Sequence, residues 1–95
     1  MTTNQLKKHL GCVVEVCWTD AHSLDPWTNV EELIDQLPLE GLPCRTYGVV
    51  IAANENGMMI SGSINGAACV GASWFVPRGM ITQVTTLIGK KGLDI

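Results

Sequence analysis

Four cysteines and two histidines are the residues of this 95-residue chain with the clearest capacity for metal or thiol chemistry. The histidines, His9 and His22, flank a segment that reads as a strand, where alternate side chains point to opposite faces. No C-x-x-C pair is present, so the spacing typical of a zinc site is missing. We therefore predict no metal and no cofactor, and buried, reduced thiols at all four cysteines: Cys12, Cys17, Cys44 and Cys69.

The residues needed for catalysis are also not arranged in any familiar pattern. A nucleophilic cysteine requires a histidine in reach and a positive environment, whereas Cys12 and Cys17 fall on opposite faces of the predicted strand. Gly57 and Gly66 are isolated turn glycines, and neither H-E-x-x-H nor G-x-S-x-G occurs. We predict no catalytic residues and no enzymatic activity, with a small hydrolase or thiol enzyme as the least supported alternative.

The composition of the chain limits which classes of non-enzymatic protein it can belong to. Hydrophobic residues make up 46% of the chain and charged residues only 16%, which favours a folded domain that associates with copies of itself. The net charge of −3 provides no diffuse positive field for nucleic acid, so such binding needs a local patch. No apolar run reaches bilayer length and the N-terminus lacks the apolar core of a secretory signal, so we predict a cytoplasmic protein.

The central element is a β-hairpin over residues 45–63. Val49, Val50 and Ile51 favour extended backbone, and the polar residues 54–57 have the types that form a tight turn. The run from Val49 to Ala53 has no polar alternation, so both of its faces must be covered. We expect a neighbouring subunit to provide part of that cover.

Before the hairpin, the pattern predicts a short helix over residues 3–10, a strand over residues 12–20 and a helical insertion. Val14, Val16 and Trp18 alternate onto one face of the strand. Within the insertion, residues 30–37 have helical spacing, and their apolar stripe is expected to pack on the body. Trp27 is expected to form a lid over the core edge. The insertion itself is read as a structural plug, with a substrate-binding flap as the alternative.

After the hairpin, Asn65-Gly66 marks a turn, residues 73–76 a short strand and Arg78-Gly79 a corner. Residues 80–88 are rich in β-branched side chains and predict a last strand, although they also fit helical spacing. Residues 89–92 are read as a solvated tail, with a phosphate-binding arm as the alternative. The whole chain, residues 1–95, is thus predicted to be one mainly β domain: a small five-stranded barrel of the SH3 or Sm type.

The order of these elements is similar to that of the Sm-like (LSm) proteins, small barrels that assemble into rings and bind single-stranded RNA. Residues 75–81 resemble the second Sm motif, in which hydrophobic residues flank an Arg-Gly pair. Gly48, Val50 and Asn54 match positions of the first motif, although Met58 stands where the family has its base-contacting Asn. The insertion, together with V-x-W-x-D-A at residues 16–21, also looks like uncharacterised small proteins encoded by bacteriophages.

The resemblance implies a non-enzymatic homo-oligomeric ring, in the host cytoplasm if the chain is phage-encoded. It implies single-stranded RNA as a partner, bound at the pore through Asn54, Asn56, Arg78 and Gly79. Arginine stacking and amide hydrogen bonds are means by which proteins hold splayed bases. The alternative is a protein-interaction or structural accessory barrel that binds no nucleic acid, with a peptide held in an apolar groove around Trp18, Tyr47 and Trp74.

Overall fold

The computed structural model describes residues 1–21, 27–35, 41–66 and 69–90. Within them the chain is mainly β, with a short N-terminal helix and a helical insertion after the first strand, as predicted. The helices and strands are α1 Thr3–Lys7, β1 Val13–Asp20, α2 Val30–Asp35, β2 Leu42–Asn54, β3 Gly57–Asn65, β4 Cys69–Pro77 and β5 Ile81–Ile88. A 3-10 turn, Arg78–Met80, connects β4 to β5 at the predicted corner.

All five strands belong to one antiparallel sheet, in the order β4-β3-β2-β1-β5. The predicted hairpin is confirmed as β2 and β3, which meet at the Asn54–Gly57 turn. The last strand is confirmed as β5 and not as a helix, because its residues pair with β1 from Trp18↔Ile81 to Val13↔Ile88. In the described ranges no ladder joins β4 to β5, so the sheet is open and these two strands are its edges.

A single apolar core lies on one face of the sheet, under α1. The side chain of Thr2 accepts a hydrogen bond from the Gln5 amide while Gln5 bonds back to the Thr2 amide, and this capping box begins the helix. Leu6 of α1 is fully buried in the core, a contact of about 2 kcal/mol. The strands contribute the other fully buried side chains: Val14, Val16, Val50, Met58, Ile60, Val76 and Ser61.

Strand β2 changes its partner midway. Its residues 42–49 pair with β1, and its residues 49–54 pair with β3. Residues 63–65 of β3 then pair with β4 alone. Gly48 stands beside this change with a φ of +157°, and a Cβ there would lie 2.6 Å from the Ser61 carbonyl oxygen. We call the paired strands β1 and β2 one ribbon and the paired strands β3 and β4 the other. The two ribbons separate from Gly48 toward the start of β2, and a space opens between them.

Three predictions about individual side chains are wrong. Most of the described apolar stripe of α2 is not packed on the body, since Val30 is 69% and Ile34 is 59% exposed and only Leu33 is half-buried. Trp27 is 96% exposed and is not a lid over the core. The cysteines are free thiols, but only Cys12 is buried; Cys17 and Cys44 are half-buried, and Cys69 is exposed. A periodic apolar pattern shows which face would be buried, but not whether the protomer offers a surface to bury it.

Several predicted segments extend outside the described residues. The end of the predicted insertion helix, residues 36–37, and His22 lie there, as do the tail residues beyond Lys90. The strand predicted over residues 73–76 is longer than expected, because β4 begins at Cys69. Helix α1 is shorter than expected: it ends at Lys7, and residues 8–11 form turns.

Candidate loop site and adjoining cleft

The four residues expected to bind RNA lie in two turns that touch each other. The backbone N–H of Arg78 donates to the carbonyl oxygen of Asn56, with a distance of 2.9 Å. The sheet register places Pro77 opposite Gly57, which brings the 3-10 turn against the hairpin turn. We call Asn54, Asn56, Arg78 and Gly79 the loop site. The structure thus brings together residues that are more than twenty positions apart in sequence.

The side chains of the loop site differ in whether they are already held by a hydrogen bond. The Asn54 side-chain oxygen accepts a hydrogen bond from the Asn56 amide at 2.8 Å, so Asn54 shapes the turn. Asn56, Arg78 and Gly79 are exposed.

Met58, at the position of the family's base-contacting Asn, is fully buried in the core. A side chain in that position cannot reach a ligand in the protomer. Any base recognition at this end of the sheet must therefore use the exposed turn residues instead.

A cleft of about 450 Å³ occupies the space between the two ribbons. Trp18 and Tyr47 line it from the β1–β2 side and Trp74 from β4, so the three aromatic residues expected around a groove do share one. The indole N–H of Trp18 donates to the Thr46 hydroxyl at 2.9 Å, which fixes that ring in place. Trp74 is 57% exposed. The remaining lining residues are Cys44, Arg45, Thr46, Gly62 and Ala72.

Glu15 is hydrogen-bonded to Tyr47, one of the residues that line this cleft. Its carboxylate accepts a hydrogen bond from the Tyr47 hydroxyl at 2.7 Å, which lowers the pKa of Glu15 and raises that of Tyr47. Desolvation raises the pKa of the Cys17 thiol, and a hydrogen bond to Glu15 adds to the rise. A catalytic thiol needs the opposite shift, because the thiolate is the nucleophile. The environment of Cys17 therefore favours an inert thiol.

The histidine that the structure describes, His9, is hydrogen-bonded to a threonine. The ring nitrogen Nδ1 of His9 lies 3.1 Å from the Thr86 hydroxyl. In the described ranges, no three side chains of His, Cys, Asp or Glu converge on a point that could hold a metal ion.

The contribution of Arg45 to the cleft was not anticipated from the sequence. Arg45 is the one charged residue among those lining the cleft, and it stands opposite Cys17 in the β1–β2 register. The pairing of Trp18 with Cys44 places this part of β2 beside the tryptophan. The sequence shows the alternation of apolar and polar residues within each strand. It does not show the register between strands, which is what brings Arg45 to the cleft.

No protein-family model, curated protein or solved structure matches this chain. Among the described helices, none is long and apolar enough to cross a bilayer.

Proposed function

We propose that this protein is a non-enzymatic, self-assembling Sm-like module whose closed ring presents the loop site to single-stranded RNA. The observation that carries the proposal is the open sheet with two unpaired edge strands, β4 and β5, next to two exposed turns joined through Arg78 and Asn56. We infer that the sheet curls into an incompletely closed small barrel of the SH3 or Sm type, which leaves β4 and β5 unpaired. The strand order, the core on a single face and the partner change of β2 support that inference.

The edges favour association of copies. Each edge strand has backbone N–H and C=O groups that no described strand pairs, and such edges are templates for another chain. Large apolar side chains are exposed on both edges, with Trp74 and Phe75 on β4 and Leu87 and Ile88 on β5. No charged residue occurs from Met58 to Pro77 to oppose contact. Because β4 and β5 are different surfaces, their pairing is head-to-tail and generates a ring where the rotation closes.

A ring would also explain how an acidic chain could hold RNA. Each copy contributes one Arg78, and several guanidinium groups directed at one pore create a positive site despite the net charge of −3 per chain. Exposed Asn56 can hydrogen-bond to bases through its amide. Asn54 and Gly79 serve to shape the two turns, and Gly79 has no other atom within 4 Å of where a Cβ would be.

Assembly through the edges is tested by light scattering. The wild type is expected to have a mass that is a multiple of the 10.2 kDa protomer at micromolar concentration. Phe75→Lys and Leu87→Lys should each shift the mass toward the protomer, because a charge is then placed in the edge contact. Ile64→Lys, an exposed apolar residue on β3, serves as the control and should leave the mass unchanged. A monomeric wild type would disprove the ring.

RNA binding is tested with Arg78→Ala and short uridine-rich and adenine-rich RNAs at two salt concentrations. We expect the affinity to fall about tenfold or more and the salt dependence to weaken, because each lost phosphate contact reduces counterion release. Lys8→Ala removes an exposed basic residue outside the loop site and should bind like the wild type. If Arg78→Ala instead dissociates the oligomer without changing binding per assembled ring, Arg78 serves assembly and not recognition.

The second candidate function is protein interaction without nucleic-acid binding. It is favoured by one observation: Trp18, Tyr47 and Trp74 line a common cleft of a volume typical for ligand sites. The ultraviolet absorbance ratio of the purified protein discriminates between the two candidates, because co-purified RNA raises absorbance at the nucleic-acid maximum. An RNA-free preparation that also fails to bind added RNA would favour the interaction module.

A further inference from the structure

Helix α2 lacks support within its own chain. It has six residues, whereas isolated helices shorter than about 12–15 residues are marginal in water. None of its residues is fully buried, and Leu33 alone is half-buried among the residues of the helix. Its capping is favourable, because the Asn29 side chain accepts hydrogen bonds from the Glu31 and Glu32 amides, but capping alone does not hold so short a helix. Within the described residues, the apolar side chains of α2 therefore have room for a further contact.

Two faces of α2 differ sharply in chemistry. Val30 and Ile34 are one helical turn apart on the same side and are both exposed. The opposite side carries only acids. The acidic residues are Glu31, Glu32 and Asp35, and residues 27–35 include no basic residue. A surface that accommodates α2 must therefore be apolar in the middle and basic at its margin.

The cleft has this composition. Its walls are Trp18, Trp74 and small residues, and the one charge among its lining residues is Arg45. Arg45 lies close enough to Glu15 to help lower the pKa of that carboxyl, so its guanidinium is shared between Glu15 and any acid that approaches the cleft. A volume of about 450 Å³ admits a few aliphatic side chains, in the manner of helix-in-groove recognition. No residue of α2 lines the cleft of its own chain.

We propose that α2 of one copy docks into the Trp18–Trp74 cleft of a second copy. Val30 and Ile34 enter the cleft, and Glu31, which borders Ile34 on the helix surface, lies toward Arg45 at the margin. The inference rests on the proposed self-assembly and adds to it a second contact, which meets the β4 edge at Trp74. It also explains why the apolar stripe of α2 is left exposed in the protomer.

The native Cys44 in the cleft provides the test. In a Cys69→Ser background, which removes the exposed thiol, copies carrying Ile34→Cys and Cys44→Ser are mixed with copies that retain Cys44. After mild oxidation, we expect a disulfide-linked species of twice the 10.2 kDa protomer mass on a non-reducing gel. Glu32→Cys, on the acidic face, replaces Ile34→Cys in the control and should give little of this species.

Two results would overturn the inference. One is the absence of the linked species from the mixture. The other is an internal disulfide in copies that carry Ile34→Cys and Cys44 together, with none between copies, which would mean that α2 folds onto its own cleft. Adding Trp74→Ala to the copies that retain Cys44 should lower the yield severalfold.

Light scattering of the same proteins separates this inference from the proposed ring. A ring of unchanged mass without cross-linking disproves the docking of α2 alone. If Phe75→Lys abolishes the ring and the cross-link still forms, the docking of α2 into the cleft is supported independently of the ring. Cross-linking in a wild type that never forms a ring disproves the ring alone.

Discussion

Replacing Val50 with Lys is expected to unfold the protomer. Val50 is fully buried, and the described core is apolar except for the Cys12 thiol and the Ser61 hydroxyl, with no charged side chain. A buried ammonium without a partner must lose its charge or expel the strand. The cost of more than about 4 kcal/mol is comparable to the whole stability of a small domain. Circular dichroism should show no cooperative thermal transition, and urea should reveal no folded baseline.

The matched control is Val70→Lys, which introduces the same change at a residue that is 42% exposed on β4. It should alter the free energy of unfolding by about 0.5 kcal/mol or less. A cooperatively folded Val50→Lys monomer would mean that Val50 belongs to a contact between subunits and not to the protomer core. That outcome would contradict the position of Val50 in the fold.

Replacing Gly57 with Ala is expected to have the second-largest effect. Gly57 has a φ of +155°, and an added Cβ would lie 2.2 Å from the Val76 carbonyl oxygen and 3.0 Å from the Arg78 nitrogen. Both the backbone strain and the clash must be relieved by moving β4 away from the turn. We expect a loss of about 3 kcal/mol or more, and a fall in Tm of about 10–20 °C.

The same change should disturb the loop site, because the Arg78–Asn56 hydrogen bond depends on the close approach at Gly57. RNA affinity of the folded fraction is therefore expected to fall together with stability. Gly71→Ala is the control, since no atom lies within 4 Å of the added Cβ. Its melting temperature should stay within a few degrees of the wild type. If Gly57→Ala behaves like Gly71→Ala, the two turns are not held together as described.

Local patterns in the sequence determined the strands and the hairpin. Alternation placed Val14 and Val16 on one face of β1, and both are buried. The polar residues between two apolar runs located the Asn54–Gly57 turn, because few residue types accept that backbone. Residues 81–88 fitted both strand and helix patterns, and they form a strand, as their β-branched composition indicated. These features depend on residues close together in the chain, and the order of such residues can be read directly from the sequence.

Features that depend on distant residues were decided by the tertiary structure. The hydrogen bond between Arg78 and Asn56 and the sharing of one cleft by Trp18 and Trp74 follow from strand register, which no local pattern specifies. The apolar stripe of α2 had the correct period for burial, yet Ile34 is 59% exposed because no surface of the described residues covers it. Hydrophobic periodicity determines which side of an element avoids water, whereas the arrangement of the whole fold determines whether anything is there to cover it.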